Sequence, residues 1–298
     1  MDTKATVHEP VLLLEVIAAL APQDGDLILD LTLGGGGHAE ALLSRADVRL
    51  IGVDADPEAI ARAGWTLAKF KDKAVLCHSN FRDVGSVLEK LQIEHFDKAL
   101  FDLGLSSDEL ELSARGFSFK EDEPLLMTFN PSQHLTALDL LQHLGVEQLT
   151  GILKNYGEEK YAYRIATAIV EARGGKQIET THQLVEVIKN AVPQAYAKGR
   201  IHPATKTFQA LRIAVNDELS ALEDGLKVVW GMLNPKGRMA VISFHSLEDR
   251  IVKIFMKSRV EAGEGILQTK KPVIASEEEV SMNPRSRSAK LRVLEKTI

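Results

Sequence analysis

An apolar, strand-like run, Asp26 to Leu33 (DLILDLTL), ends in Gly34, Gly35, Gly36 and Gly37 and is followed by a helix-like stretch from His38 to Ser44. This arrangement constrains the chain more than any other feature. Glycines let a backbone approach a ligand where a Cβ would not fit, and the helix that follows offers unpaired N–H groups at its start. Gly34, Gly36 and Ala39 satisfy a loose G-x-G-x-x-A pattern. Asp54 lies 20 residues beyond Gly34, where an acid can accept hydrogen bonds from ribose hydroxyls. The motif predicts a nucleotide-type cofactor, and by itself it admits a nicotinamide dinucleotide. A purely structural glycine turn is the plainer reading, and the acid closing the next strand counts against it.

Strand and helix patterns alternate on either side of the loop. Arg49–Val53 reads as a second strand ending in Asp54, after which Asp56 and Pro57 open a helix carrying Ala59, Ile60 and Ala63. Ala74–Cys77 and Lys98–Phe101 follow as short strands, the latter ending in Asp102. Such alternation predicts a parallel sheet covered by helices on both faces. The rhythm then breaks for about a hundred residues of helical pattern, including Tyr161, Ile165, Ala168, Ile169 and Ala172 before Gly174 and Gly175. Thr180 and Gln183 suit a capping box for a helix through Ala191. Phe208, Leu211, Val215, Leu219, Leu222, Leu226 and Val229 then predict one long amphipathic helix. Asn234-Pro235-Lys236-Gly237 turns into a strand at Arg238–Phe244, and a helix follows from Ser246 to about Lys257. Val273 and Leu291–Leu294 are expected to finish the sheet as an antiparallel tail. The expected organisation is a sheet domain in two parts, 1–105 and 205–298, around a helical insert at 106–204.

With 298 residues, 45% of them apolar, the chain can bury a large core. Its apolar stretches are too short for a membrane span, and Met1–Pro10 lacks the basic start and hydrophobic run of a leader, so a cytoplasmic location is expected. Cys77 is the single cysteine, which excludes an intramolecular disulfide and a cysteine-rich zinc site. A net charge of −6 argues against gripping nucleic acid through bulk charge. Local patches remain open: Ser281–Ile298 holds five basic residues, Arg285, Arg287, Lys290, Arg292 and Lys296, against Glu295. A solvated terminal strand is the equal alternative there.

Two details favour S-adenosylmethionine over NAD. Asp30 sits at the end of the first strand, where a carboxylate can meet the positively charged amino-acid part of that cofactor, and the Asn-Pro-Lys-Gly turn suits methyltransferases of this class. Longer motifs are more specific: HEPVLLLEV from His8, the GGGGH loop, FDLGLSS from Phe101, RGFSF from Arg115, and YGEEKYAYRIATAI from Tyr156. HPATKTFQALRIAVNDEL from His202, SFHSLEDRIVK from Ser243 and NPRSRSAKLR from Asn283 complete the set. On these motifs, over almost its whole length, the chain resembles the bacterial 16S rRNA cytidine N4-methyltransferases. The resemblance implies an α/β, Rossmann-like S-adenosylmethionine-dependent methyltransferase sheet with an inserted helical domain that recognises substrate. It implies methylation of a cytidine in the decoding centre of 16S rRNA within the small ribosomal subunit, without a metal. The positions matching the family's cofactor contacts are Gly36, Gly37, His38, Asp54, Phe81, Asp102 and Glu109, the last a position where the family often carries Gln.

One segment departs from the family. Where it usually reads Pro-Leu-Asp-Met-Arg-Met-Asp, this chain has Pro124, Leu125, Leu126, Met127, Thr128, Phe129 and Asn130. Altered substrate contacts in a divergent branch are expected from that loss, with weakened activity on the same base as the alternative. Cytosine N4 is a poor nucleophile, so an acceptor must hold its N–H bonds in line with the methyl group, and Asp102 is the candidate catalytic residue. Phe117 and Phe119 are candidates to sandwich an extruded base, with core packing as the alternative. Of the nine histidines, His38 is expected to cap or orient the cofactor, His245 is a ligand contact or a structural group, and His202 marks a helix start. Arg164 is a phosphate contact or a solvated charge. A nicotinamide-dependent oxidoreductase and a non-catalytic RNA-binding relative are the competing functions, and the oligomeric state is left open, a homodimer included.

Overall fold

The computed structural model describes residues 10–70, 72–105, 110, 113–175 and 178–298. They form two densely packed units: Met1–Gly104 with Leu219–Ile298, and Leu105–Glu218 between them. The first holds a seven-stranded sheet in the order β3-β2-β1-β4-β5-β7-β6. Its strands are β1 (Leu27–Asp30), β2 (Arg49–Asp54), β3 (Ala74–His78), β4 (Phe96–Asp102), β5 (Leu233–Ser243), β6 (Gly265–Leu267) and β7 (Lys290–Lys296). β1 to β5 run parallel, while β7 is antiparallel to both β5 and β6. The Rossmann-like sheet and the antiparallel tail are present as expected.

Side chains alternate across a strand, so consecutive residues serve two cores. Leu29, Ile51, Ala99 and Val241 face the helices Val84–Lys90, Glu218–Met232 and Ser246–Glu261, through Leu88, Leu226, Val229 and Val252. Ile28, Leu50, Leu100 and Ala240 face the helices Leu13–Leu20, Gly37–Arg45 and Pro57–Thr66, through Val16, Leu20, Leu42 and Ala63. Burial on both faces explains why these strands read as nearly continuous apolar runs. The Asn234–Gly237 turn survives as an interruption inside β5: Phe96 pairs with Leu233, but Lys98 already pairs with Arg238.

The basic C-terminal segment is an inner strand, which corrects the solvated-tail expectation. Asp249 receives Arg292 Nε at 2.7 Å and Lys290 Nζ at 3.2 Å, and Lys296 Nζ donates to the carbonyls of Trp230 (3.0 Å) and Leu233 (2.8 Å). Three of the five basic residues therefore hold the sheet together.

The second unit is helical. Its helices Ala137–His143, Val146–Gly157, Ala162–Arg173, Thr181–Ala191 and Thr205–Asn216 surround a core that includes Leu141, Leu153, Ile165, Ile169, Leu184 and Leu211. Gln183 Oε1 accepts the N–H groups of Glu179 (2.8 Å) and Thr180 (3.4 Å), as the capping pattern predicts. The single long helix expected through Val229 is broken. Asp217 takes a left-handed conformation (φ 48°), and the chain restarts at Glu218. A non-glycine residue there costs about 1–2 kcal/mol, offset by the bidentate pair of Arg212 with Glu218, both bonds 2.8 Å. Hydropathy period alone cannot register such a break, because the apolar stripe continues through it. The unit thus closes at Glu218, one helix beyond residue 204.

The divergent 124–130 segment lies partly in this unit's interior. Leu125 and Met127 are fully buried, Thr128 is 3% exposed, and Arg115 donates to the carbonyls of Thr128 and Phe129. Asn216 clamps the same segment, accepting from Phe129 N–H (2.9 Å) and donating to the Met127 carbonyl (2.7 Å). Among the described residues, no helix is long and apolar enough to cross a membrane.

Candidate active site

The carboxyl ends of β1, β2, β4 and β5 carry the polar residues of the sheet unit. Strand order reverses at β1, where β2 and β4 lie on opposite sides, and ligands of open α/β sheets bind beside such a reversal. Beyond β1 the glycine loop passes through Gly36, a helix N-cap in the left-handed region (φ 85°). A Cβ on Gly37 would lie 2.5 Å from Pro10 Cγ, so only glycine lets the Pro10–Leu12 segment close over the loop. Asp54 organises this loop from β2. Its Oδ2 accepts Gly34 N–H and its Oδ1 accepts Asp56 N–H, both at 2.8 Å. Asp56 in turn caps the helix Pro57–Thr66 through Glu58 N–H at 3.0 Å.

Asp102 closes β4. Its own N–H donates to Thr32 Oγ1 at 2.6 Å, while its Oδ1 is buried without a hydrogen-bond partner among the described residues. Oδ2 stands 3.5 Å from Nδ1 of the buried His38. The other ring nitrogen of His38, Nε2, lies 3.0 Å from the Val11 carbonyl. A carbonyl only accepts, so Nε2 carries the proton, and in the neutral ring Nδ1 faces Asp102 as an acceptor.

Burial pushes Asp102 up to about 8, with the carboxylates of Asp30 and Glu248 adding to the rise. Burial likewise brings Asp30 to about 7, the Thr32 N–H pulling it back and Asp54 pushing it further. Asp54 is raised too, chiefly by burial, against the two N–H groups it accepts. Carboxylates crowded at one end of a sheet hold protons until a cation arrives.

His245 has a structural role. Its Nδ1 accepts Glu248 N–H at 3.3 Å while Glu248 Oε2 accepts His245 N–H at 3.2 Å, closing a capping box at the start of the helix Ser246–Glu261, and Oε2 also accepts Phe244 N–H at 2.8 Å. Phe81 opens a short turn after β3, partly buried, its ring edge-on to Phe101 at 5.7 Å between centroids. Glu109 lies outside the described residues. In the helical unit, Phe117 is 7% exposed and stacks on Phe129, so the core reading replaces base stacking there. Phe119 lies with one face on His202, centroids 4.5 Å apart, and its edge contact is Phe208. Thr32, Glu248 and Val11 enter the site without having been singled out. The His-x-x-Glu spacing of a capping box could have revealed Glu248, whereas Val11 meets His38 across 27 residues with no local signature.

The model of the MraW methylase family matches residues 5–297. The chain belongs to the MraW methylase family. Ribosomal RNA small subunit methyltransferase H of Syntrophotalea carbinolica is 45% identical, over 99% of both chains. The protein of the same name from Geobacter sulfurreducens is 47% identical, over 97% of this chain and 98% of its own. Among solved structures, an rRNA methylase from Streptococcus thermophilus aligns over 99% of this chain and 100% of its own with a TM-score of 0.44 at 10% identity, too loose a likeness to carry an argument. As a MraW methylase the protein is an S-adenosylmethionine-dependent methyltransferase.

The residues present fit that cofactor. S-adenosylmethionine carries a sulfonium and an ammonium, and buried Asp30 with partly buried Asp54 and Asp102 is a surplus of negative charge that such a ligand would neutralise. The pyrophosphate of a nicotinamide dinucleotide would bring two further negative charges to the same acids, which disfavours the oxidoreductase reading. Asp54→Ala is expected to weaken S-adenosylmethionine about tenfold to a hundredfold, the range for losing charged hydrogen bonds of about 1.5–3 kcal/mol. Because Asp54 also holds Gly34 N–H, Asp54→Asn, which keeps one acceptor oxygen, should lose less. Titration calorimetry checks both, and unchanged affinity of the alanine variant would exclude Asp54 from the site.

Proposed function

We propose that this MraW methylase transfers the methyl group of S-adenosylmethionine to N4 of a cytidine in the decoding centre of 16S rRNA, acting in the cytoplasm on the small ribosomal subunit. The observation that carries the chemistry is the buried, partnerless Oδ1 of Asp102 at the end of β4. The relatives' name supports the substrate. Gly36, Gly37, His38, Asp54, Phe81, Asp102 and Glu109 are assigned to the cofactor and its surroundings, and Asp102 to the reaction.

The cofactor, when bound, supplies an electrophilic methyl group on a sulfonium that leaves as a neutral thioether. The protein's part is alignment and proton transfer. The N4 lone pair of cytosine is delocalised into the ring, and an acceptor holding one N–H bond turns the remaining density toward the methyl carbon. Orientation of this kind contributes about 7–11 kcal/mol. Once methylated, N4 would have a proton to release. Asp102, ionised by the cofactor's positive charges, would accept it, and the protonated carboxyl group then donates toward His38 Nδ1, 3.5 Å from Oδ2.

Incubating unmodified small subunits with labelled S-adenosylmethionine and digesting the rRNA to nucleosides tests this directly. N4-methylcytidine is the expected product. No transfer would favour a non-catalytic RNA-binding relative, and a different methylated nucleoside would refute the assignment of the base. Because the chain is acidic overall, assembled subunits should be much better substrates than a protein-free fragment carrying the same cytidine, with activity falling as salt rises. A preformed bend in the rRNA would also reduce the few kcal/mol needed to unstack the base. Equal kcat/KM on the two substrates would leave local sequence as the determinant.

A further inference from the structure

Part of the helical unit's positive charge surrounds one aromatic pair, Tyr161 and Tyr196. Glu159, 3% exposed, anchors it by accepting the Tyr161 N–H at 2.8 Å and the Tyr196 hydroxyl at 2.7 Å. The two rings meet edge to face with centroids 4.8 Å apart. Lys160 Nζ lies 5.5 Å and Arg164 Cζ 5.9 Å from the Tyr161 ring centre, within the range of cation–π attraction. Tyr196 leads directly into a tight turn, Gly199 N–H donating to the Tyr196 carbonyl at 3.0 Å, from which Lys198 and Arg200 extend into solvent. Lys206 Nζ caps the neighbouring Glu158 carbonyl at 2.9 Å. Residues 187–216 contain five basic side chains and no acid, in a chain whose net charge is −6. Tyr163 and Arg164 stand in the first turn of the helix Ala162–Arg173, just after Lys160, and Tyr163 is 65% exposed. Glu158, beside Lys160 in the sequence, is exposed.

A core does not need an exposed tyrosine, and cations collected against the net charge of the molecule repel one another unless an anion joins them. Interleaved cations and aromatic faces suit a single-stranded nucleic acid, the cations following phosphates and a ring stacking on an unpaired base. We infer that Lys160, Arg164, Lys198 and Arg200, with Tyr163, form a docking surface on the helical unit for the backbone of single-stranded rRNA. The inference rests on the rRNA substrate proposed above and assigns part of its recognition to these residues.

The test is Lys198→Ala/Arg200→Ala and, separately, Lys160→Ala/Arg164→Ala. Each is read by KM and kcat on unmodified small subunits and by direct binding to protein-free 16S rRNA across a salt series. Expected results are KM raised about tenfold or more with kcat and S-adenosylmethionine affinity unchanged. The slope of log affinity against log salt should shrink by about 0.7 for each phosphate that is no longer neutralised. The charge-preserving pair Lys198→Arg/Arg200→Lys should retain wild-type affinity, and Tyr163→Ala should weaken RNA binding without changing the salt slope. Unchanged KM, RNA affinity and salt slope in both double variants would overturn the inference. So would weakened binding to subunits with undiminished binding to protein-free rRNA, which would identify a ribosomal protein as the partner. Binding to rRNA is read without turnover, so failure of wild-type methyl transfer would refute the proposed reaction while leaving this surface judged on its own data.

Discussion

Asp102→Asn lowers the single-turnover rate, at saturating cofactor and small subunits, by about a hundredfold to ten-thousandfold, the range for removing a positioned proton acceptor. The substitution keeps the size of the side chain and the bond from its backbone N–H to Thr32 Oγ1, so the end of β4 should stay in place. What disappears is basicity, and an amide presenting its NH₂ toward N4 would repel the amine it should hold. Rapid-quench measurement of labelled methyl transfer gives the rate, and calorimetry separates it from any change in cofactor affinity. Full retention of the rate would show that Asp102 caps the strand without taking part in the reaction.

S-adenosylmethionine affinity should rise with pH between about 6 and 8, because Asp30 and Asp102 hold protons in the empty site up to about 7 and about 8. For carboxyl groups raised above their ordinary value of 3.8, the folded protein binds more protons than the unfolded chain. Without cofactor, their contribution to stability is therefore greatest at acid pH and is lost as pH climbs through the folded values. A doubly cationic ligand reverses that preference by favouring the ionised carboxylates. Each proton expelled on binding steepens the dependence by up to about tenfold in affinity per pH unit. Calorimetry in buffers of different ionisation enthalpy should show proton release near pH 7, and the affinity should level off above about pH 8.5. Affinity constant from pH 6 to 8.5, with buffer-independent heat, would mean that these acids do not face the cofactor.

Local physics made much of the molecule legible from the chain alone. The strand run ending in four glycines, the acid closing the second strand and the β–α alternation depend on side-chain period and on the conformations glycine permits, both expressed within a few residues. Hence β1 to β4, the glycine loop and Asp54 at the end of β2 lie where the sequence implies, while the bond from Gly34 N–H to Asp54 came only from the fold. The family motifs carried the chemistry because their long runs preserve whole turns and caps.

Other features depend on which residues meet across the fold, and only the tertiary structure decided them. Packing turned Phe117 and part of the divergent 124–130 segment into core, since apolar side chains carry the same signature whether they bury against protein or stack on a base. Asp249 claimed the tail cations Lys290 and Arg292 from 41 and 43 residues away, a pairing no charge count could foresee. The strained Asp217 split a continuous apolar stripe because the Arg212–Glu218 pair and a change of unit favour the break. Above all, Asp30, Asp54 and Asp102 are ordinary acids in the sequence. Their convergence at the ends of the sheet, where burial raises all three above the usual carboxylate range, supplies the negative charge that the proposed cofactor would neutralise.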